Sequence, residues 1–256
     1  MACRARGDDT FDQGSAADCG DELVGGDGTD VATYAGRSND LTIDIDGKAD
    51  DGEASEGDNI KTDIEKVIGG SGNDTITGSN GDDVIDGGAG DDVLSGGSGN
   101  DTFLCAATDD GGDVINGGGG MDTIDYSART ADLTITLCVD KDADTGASTA
   151  GDCATANDGL SGEEDNVINC EGIIGGSGGD TITGADSDDT LEGKGGDDTI
   201  SGGAGDDNIF GDDGDDTLAG GADDDYVDGG AGTDTADGGA GDGDICSQAT
   251  ASNCEL

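Results

Sequence analysis

An aspartate recurs every nine residues along much of this 256-residue chain. Between residues 175 and 219 it stands at Asp180, Asp189, Asp198, Asp207 and Asp216. An aliphatic side chain follows two residues later each time, at Ile182, Leu191, Ile200, Ile209 and Leu218. Glycine opens each nonapeptide and is frequent at its second and fourth places. Glycine at places one, two and four predicts a turn with φ > 0 at each, free of Cβ, that points successive carbonyl oxygens inward. One carboxylate and several carbonyls per turn make an all-oxygen donor set. Calcium accepts such a set, taking roughly six to eight oxygens in a tolerant geometry, whereas magnesium demands a tighter octahedron and keeps its waters. The chain has no histidine, so zinc and copper fit poorly and histidine-based triads and HExxH zinc sites are excluded.

The same register adds Asp30, Asp74, Asp83, Asp92, Asp101, Asp113, Asp122, Asp225 and Asp234 as candidate metal ligands. Position-one glycines Gly69, Gly78, Gly87, Gly175, Gly193, Gly202 and Gly211 are the matching candidates to offer carbonyls. Fifth-position aspartates such as Asp82 are expected to face solvent. The last repeat slips, with Asp244 falling sixth when the count restarts at Gly239.

Positions seven to nine (T-I-T, T-L-E, T-I-S, N-I-F) place one inward apolar residue between polar ones, the period of a half-buried strand. Three residues bury no core alone, but stacked repeats do. Residues 1–24 are expected to be a degenerate cap with Phe11 and Leu23 inward. Residues 25–125 form a first array with a long coil inserted at 34–68, and 126–174 a second long coil. Residues 175–246 form a second array and 247–256 a tail, all in one continuous solenoid. The long coils match one another: Tyr34, Arg37 and Leu41-Thr-Ile43 correspond to Tyr126, Arg129 and Leu133-Thr-Ile135.

Taken together, the units GGSGNDTIT, GGAGDDVLS and GGAGDDNIF resemble the RTX (repeats-in-toxin, hemolysin-type) calcium-binding family. The resemblance implies an all-β parallel β-roll, a right-handed β-solenoid with two facing parallel sheets. It implies six-residue calcium turns, three-residue strands, one coil per two repeats, and an ion between turns two units apart. It further implies secretion, with the roll closing in extracellular calcium. The family's usual type I export fits less well here, because such chains are often poor in cysteine and the tail SQATASNCEL lacks a clear secretion signature.

Composition agrees. There are 54 glycines, no proline, and 62 acidic against 9 basic residues, for a net charge of -53. Low hydrophobicity with that charge suits a disordered chain, yet strict periodicity argues for order, and the two reconcile if folding awaits metal. About a dozen calcium ions would then bind, at six to eight oxygens each. The charge excludes nucleic acid as a partner, and no apolar run reaches membrane-spanning length.

Eight cysteines suit an oxidising compartment. The simplest pairing is Cys3–Cys19, Cys105–Cys170, Cys138–Cys153 and Cys246–Cys254, against an alternative of buried thiols. No h-region precedes Thr10, so a mature chain without its targeting segment is expected. Asp140, Asp142 and Asp144 imitate an EF-hand start, but Gly146 comes one residue late and Gly151 replaces the terminal glutamate. Glu56, Asp58, Glu164 and Asp165 are read as solvated loop residues in preference to extra metal sites. Arg37 and Arg129 are expected to pair with local carboxylates.

These features suggest a non-enzymatic calcium-folded module: an extracellular adhesin, matrix or filament element able to associate end to end. The alternative is the secretion or stabilising region of a larger secreted toxin or hydrolase. Ice binding is set aside, because position three (Ser71, Asn80, Ala89, Ser98, Asp213) carries no threonine row.

Overall fold

The computed structural model describes residues 5–17, 19–108, 110–138, 158–161 and 165–254. Among these, every regular element is a strand, and they fall into two compact units. The first comprises residues up to 105 with 109–122; the second comprises 106–108 and 123 onward.

In the first unit, one parallel sheet orders Thr10–Asp12, Val31–Thr33, Lys66–Ile68, Val84–Asp86 and Thr102–Leu104. A second runs Leu41–Asp44, Thr75–Thr77, Val93–Ser98 and Val114–Gly119, with Gly52–Glu53 antiparallel at its start. In the second unit, one sheet runs Thr123–Asp125, Gly172–Ile174, Thr190–Glu192, Asn208–Phe210, Tyr226–Asp228 and Ile245–Ser247. The other runs Thr134–Thr136, Thr181–Thr183, Thr199–Ala204, Thr217–Ala222, Thr235–Ala240 and Thr250–Ser252. Successive nonapeptides alternate between the two sheets of a unit, which is the parallel β-solenoid of an RTX β-roll.

Register follows the eighth position. Ile182 lies beside Ile200, Ile200 beside Leu218, and Leu191 beside Ile209. All are at most 1 % exposed. Each coil thus contributes two such side chains, each worth roughly 1.5–3 kcal/mol on burial. The coil is 18 residues where repeats are strict and 21 where the three residues at 105–107 are inserted. It reaches 33 and 47 residues across the two long coils without losing register: Ile43 still pairs with Ile76, and Ile135 with Ile182.

The glycines divide labour differently from the expectation of φ > 0 at three places. Positive φ occurs at places two and four, as at Gly97 (106°) and Gly99 (117°). Position-one glycines such as Gly96 lie outside that range and are required for close approach instead. Of the expected disulfides, Cys246–Cys254 forms, with Cα atoms 5.7 Å apart. The Cys105–Cys170 pairing is corrected: both are buried thiols, and Cys170 Sγ donates to Ile168 O at 3.8 Å. Cys3 and Cys153 lie outside the described residues, as do Asp140, Asp142 and Asp144.

Candidate metal centre

The sixth-position aspartates turn inward. Asp30, Asp74, Asp83, Asp92, Asp101, Asp113, Asp122, Asp180, Asp189, Asp198, Asp207, Asp216, Asp225 and Asp234 are all buried, none more than 6 % exposed. A carboxylate buried this way must be neutralised or fully hydrogen-bonded. One oxygen is accounted for by the stacking: Oδ1 accepts the backbone N–H of the equivalent aspartate one coil earlier. Asp92 serves Asp74 at 2.7 Å, Asp198 serves Asp180 at 2.7 Å, and Asp207 serves Asp189 at 2.9 Å. The same ladder continues through Asp101, Asp113, Asp122, Asp216, Asp225 and Asp234.

The second oxygen exists in two states. In Asp30, Asp92, Asp101, Asp198, Asp207, Asp216, Asp225 and Asp234, Oδ2 is buried and meets no protein donor. Each of these aims at the position-one glycine of its own repeat. At Gly202 a Cβ would overlap Asp207 Oδ2 and would come within 2.7 Å of Gly220 O, the position-one carbonyl of the next coil. Gly193 and Gly211 meet Asp198 and Asp216 and a next-coil carbonyl in the same way, and Gly87 faces Asp92 Oδ2. At Gly202, and again at Gly193, Gly211 and Gly220, a carboxylate oxygen and a carbonyl oxygen therefore converge on the point where a Cβ would stand, too close for a carbon to occupy it.

The other state belongs to Asp74, Asp83, Asp180 and Asp189, in the two turns that follow each long coil. There Oδ2 accepts the N–H of position two, from Gly70 (2.7 Å), Ser79 (2.6 Å), Gly176 (2.8 Å) and Ala185 (2.6 Å). Positions two and four of these turns lie outside the left-handed region. Rotating position two to positive φ turns its N–H away, which is what leaves Oδ2 bare in later turns. Gly69, Gly78 and Gly175 are cramped by the next coil's position-one carbonyl as well as by their own aspartate.

Burial raises the carboxylates of Asp92, Asp101, Asp198 and Asp207 above their ordinary value, with neighbouring aspartates adding to the effect. Asp92, Asp198 and Asp207 are pushed to about 7 and Asp101 to about 6. A group held this way at neutral pH takes either a proton or a cation. Orphaned buried carboxylate oxygens and carbonyl oxygens that converge on one point beside a glycine fit a hard divalent cation, which would neutralise the charge and accept both kinds of oxygen. Among the described residues no three or more His, Cys, Asp or Glu side chains gather at a single point. The donor set is accordingly one carboxylate per turn with backbone carbonyls.

Four copies of a family model match the chain, at residues 68–103, 174–209, 183–218 and 210–245, and its description is an RTX calcium-binding nonapeptide repeat. The chain carries RTX calcium-binding repeats. No curated protein matches it. The RTX turn geometry also extends beyond the matched spans. Gly25 faces the bare Oδ2 of Asp30, and Asp122 Oδ1 accepts Asp101 N–H at 2.8 Å.

Two residues of the RTX ladder, Asp9 and Glu65, escaped the sequence register, while Asp244 takes the sixth place the restarted count gives it. Asp244 is buried, and its Oδ1 accepts Asp225 N–H at 3.0 Å; Gly238, one residue before the anticipated start, takes position one. Asp9 donates its N–H to Asp30 Oδ1 at 2.8 Å and so holds a sixth place in the cap. Glu65 Oε2 accepts Asp30 N–H at 2.7 Å, the part an aspartate Oδ1 plays elsewhere. The Asp9 turn is eroded and Glu65 lies in no nonapeptide, so only stacking reveals them.

The long coils also differ from a solvated loop. Glu56 and Asp58 are buried. Glu56 binds Arg37 Nη2 at 2.6 Å, while Asp58 accepts the Tyr34 hydroxyl at 2.9 Å. Asp165 likewise accepts the Tyr126 hydroxyl at 3.0 Å. Glu164 lies outside the described residues. The pairing expected of Arg37 is thus found, with Glu53 and Glu56.

Substituting Gly202 by alanine tests the cradle. Its φ lies outside the left-handed region, so the added methyl acts by displacing Asp207 Oδ2 and pressing on Gly220 O. A cost of about 1–3 kcal/mol is expected from overpacking. A calcium titration followed by circular dichroism should show a higher midpoint. Gly81→Ala, where the nearest atom is Ser79 Oγ at 3.6 Å, should leave the midpoint unchanged.

Proposed function

We propose that this chain is a secreted, non-enzymatic β-roll that folds on binding calcium outside the cell and acts there as a structural or surface module. The carrying observation is the repeated convergence of a bare, buried Oδ2 and a backbone carbonyl oxygen beside position-one glycine. About a dozen ions, at roughly six to eight oxygens each, would fill sites of this kind. No helix among the described residues is long and apolar enough to cross a membrane.

A surface role is supported by the second unit's outer face. Thr134, Thr181, Thr199, Thr217, Thr235 and Thr250 stand in register on six adjacent strands, all exposed. Strand spacing sets the hydroxyls about 4.8 Å apart. Beside them run Thr136, Thr183, Ser201, Ala219, Asp237 and Ser252. Only Asp237 is charged, on a chain of net charge -53. Such a face suits contact with a neutral, regular surface or with another copy of the roll.

The threonine row absent from position three is therefore present at position seven, and it favours ice as a second reading. The calcium-loaded protein and its Thr199→Lys/Thr217→Lys variant should be compared by electron microscopy and by ice-recrystallisation inhibition. Filaments or adsorption lost in the variant support the module. Inhibition of recrystallisation lost in the variant supports ice. A wild type that stays monomeric and leaves ice growth unchanged removes both readings.

A further inference from the structure

Buried charge is handled in two ways along this chain, and the boundary between them is sharp. From Tyr34 to Asp74 the buried carboxylates Asp51, Glu56, Asp58 and Asp74 are met by protein donors. Asp51 accepts Asp44 N–H (2.6 Å) and Ile60 N–H (2.9 Å). Asp58 accepts Asp21 N–H (2.8 Å) and the Tyr34 hydroxyl (2.9 Å), and Asp74 accepts Leu41 N–H (2.8 Å) and Gly70 N–H (2.7 Å).

At the centre lies Arg37, 1 % exposed. Its guanidinium reaches Glu53 at 3.1 Å, Glu56 at 2.6 and 3.0 Å, and the carbonyls of Gln13 and Gly14 at 2.8 and 3.1 Å. It lies over the Tyr34 ring at 5.8 Å. Carboxylates and carbonyls around one cation are the donor set of the turn sites, with a side chain supplying the charge.

The second long coil repeats the plan. Arg129 is fully buried over Tyr126 at 5.7 Å. Asp158 accepts Thr136 and Val167 N–H at 2.7 and 3.2 Å. Asp180 accepts Leu133 and Gly176 N–H at 2.9 and 2.8 Å. On the C-terminal side of each long coil bare Oδ2 atoms begin one coil further on, at Asp92 and at Asp198, while Asp30 Oδ2 is bare on the N-terminal side of the first.

We propose that residues 34–86 and the described part of 126–192 are metal-independent seeds, closed by their own arginine and backbone N–H groups, on which the calcium-dependent turns are ordered. The seed surface is ready to receive them. Asp74 and Asp180 already present the N–H groups to which Asp92 and Asp198 dock. The inference rests on the calcium reading above and adds where folding begins.

Hydrogen exchange of the full chain, read by mass spectrometry with and without calcium, tests it. In chelator, amides of Leu41–Asp44, Thr75–Thr77 and Thr181–Thr183 should exchange on the order of 100-fold slower than unstructured amides. Those of Thr199–Ala204, Thr217–Ala222 and Thr235–Ala240 should exchange as unstructured chain until calcium is restored. Arg37→Gln should remove chelator protection in the first unit and leave the second, with its own Arg129, unchanged. Protection of all strands in chelator would overturn the calcium reading. Protection of none in chelator but all in calcium would leave that reading standing and overturn the seeds. So would full chelator protection in Arg37→Gln.

Discussion

Stripping divalent cations at neutral pH will unfold the turns from Gly87 and from Gly193 onward, with loss of most of the β-strand circular dichroism. The radius of gyration should rise toward about 55 Å, the limit for an unfolded chain of this length. Competing magnitudes decide the direction. Each of these repeats gains at most roughly 1.5–3 kcal/mol from its one buried apolar residue, less where that residue is Ala236. An uncompensated buried carboxylate costs several kcal/mol, and the repeats of Asp92, Asp101, Asp198, Asp207, Asp216, Asp225 and Asp234 each carry one with a bare oxygen. Without a cation the cost exceeds the gain, and backbone entropy adds to the loss. Sodium chloride near 1 M shortens the screening length to about 3 Å. It should relieve the long-range repulsion without restoring the strands, since the buried oxygens need a ligand in contact. Small-angle scattering and circular dichroism in chelator, then in added salt, then in added calcium, read all three states. Unchanged spectra and an unchanged radius in chelator would refute the dependence.

The strict parts of this design are legible without coordinates because they obey a period. A buried aspartate at six and an aliphatic residue at eight can be counted along the sequence, and stacking places them as counted: Asp207 under Asp225, Ile209 under Val227. What the period does not carry lies at longer range. Glu65 replaces an aspartate from outside any repeat, because the position that must accept Asp30 N–H is defined by the stack. Arg37 could be expected to pair with acids, yet its use of Gln13 and Gly14 carbonyls depends on the cap lying against the long coil. The two turn types were invisible for another reason. GGSGND at 69–74 and GGSGND at 96–101 are identical in sequence, yet only the later one has positive φ at places two and four. The difference comes from the preceding coil, since Gly70 packs against Arg37 O whereas Gly97 packs against Ser79 O.

Acid should partly replace calcium. In the fold, burial and neighbouring carboxylates hold Asp92, Asp198 and Asp207 at about 7 and Asp101 at about 6, against an ordinary 3.8. Between those limits the metal-free fold binds more protons than the unfolded chain, so its stability falls as pH rises. The penalty is absent below about 4, grows through pH 4 to 7, and is complete above 7. Calcium-depleted protein should therefore gain β-strand signal and compact as pH is lowered from 7.5 to 5, in resin-stripped buffer where no chelator titrates. Calcium affinity should move the opposite way, weakening over the same interval because protons and the ion compete for the same Oδ2 atoms. The two trends together identify the titrating groups. General charge reduction alone would compact the chain in acid but would not carry the midpoint with Asp207→Asn, which removes one titrating carboxylate from the ladder and should lessen both trends. A metal-free chain that loses structure steadily from pH 7.5 to 5 would contradict the sign.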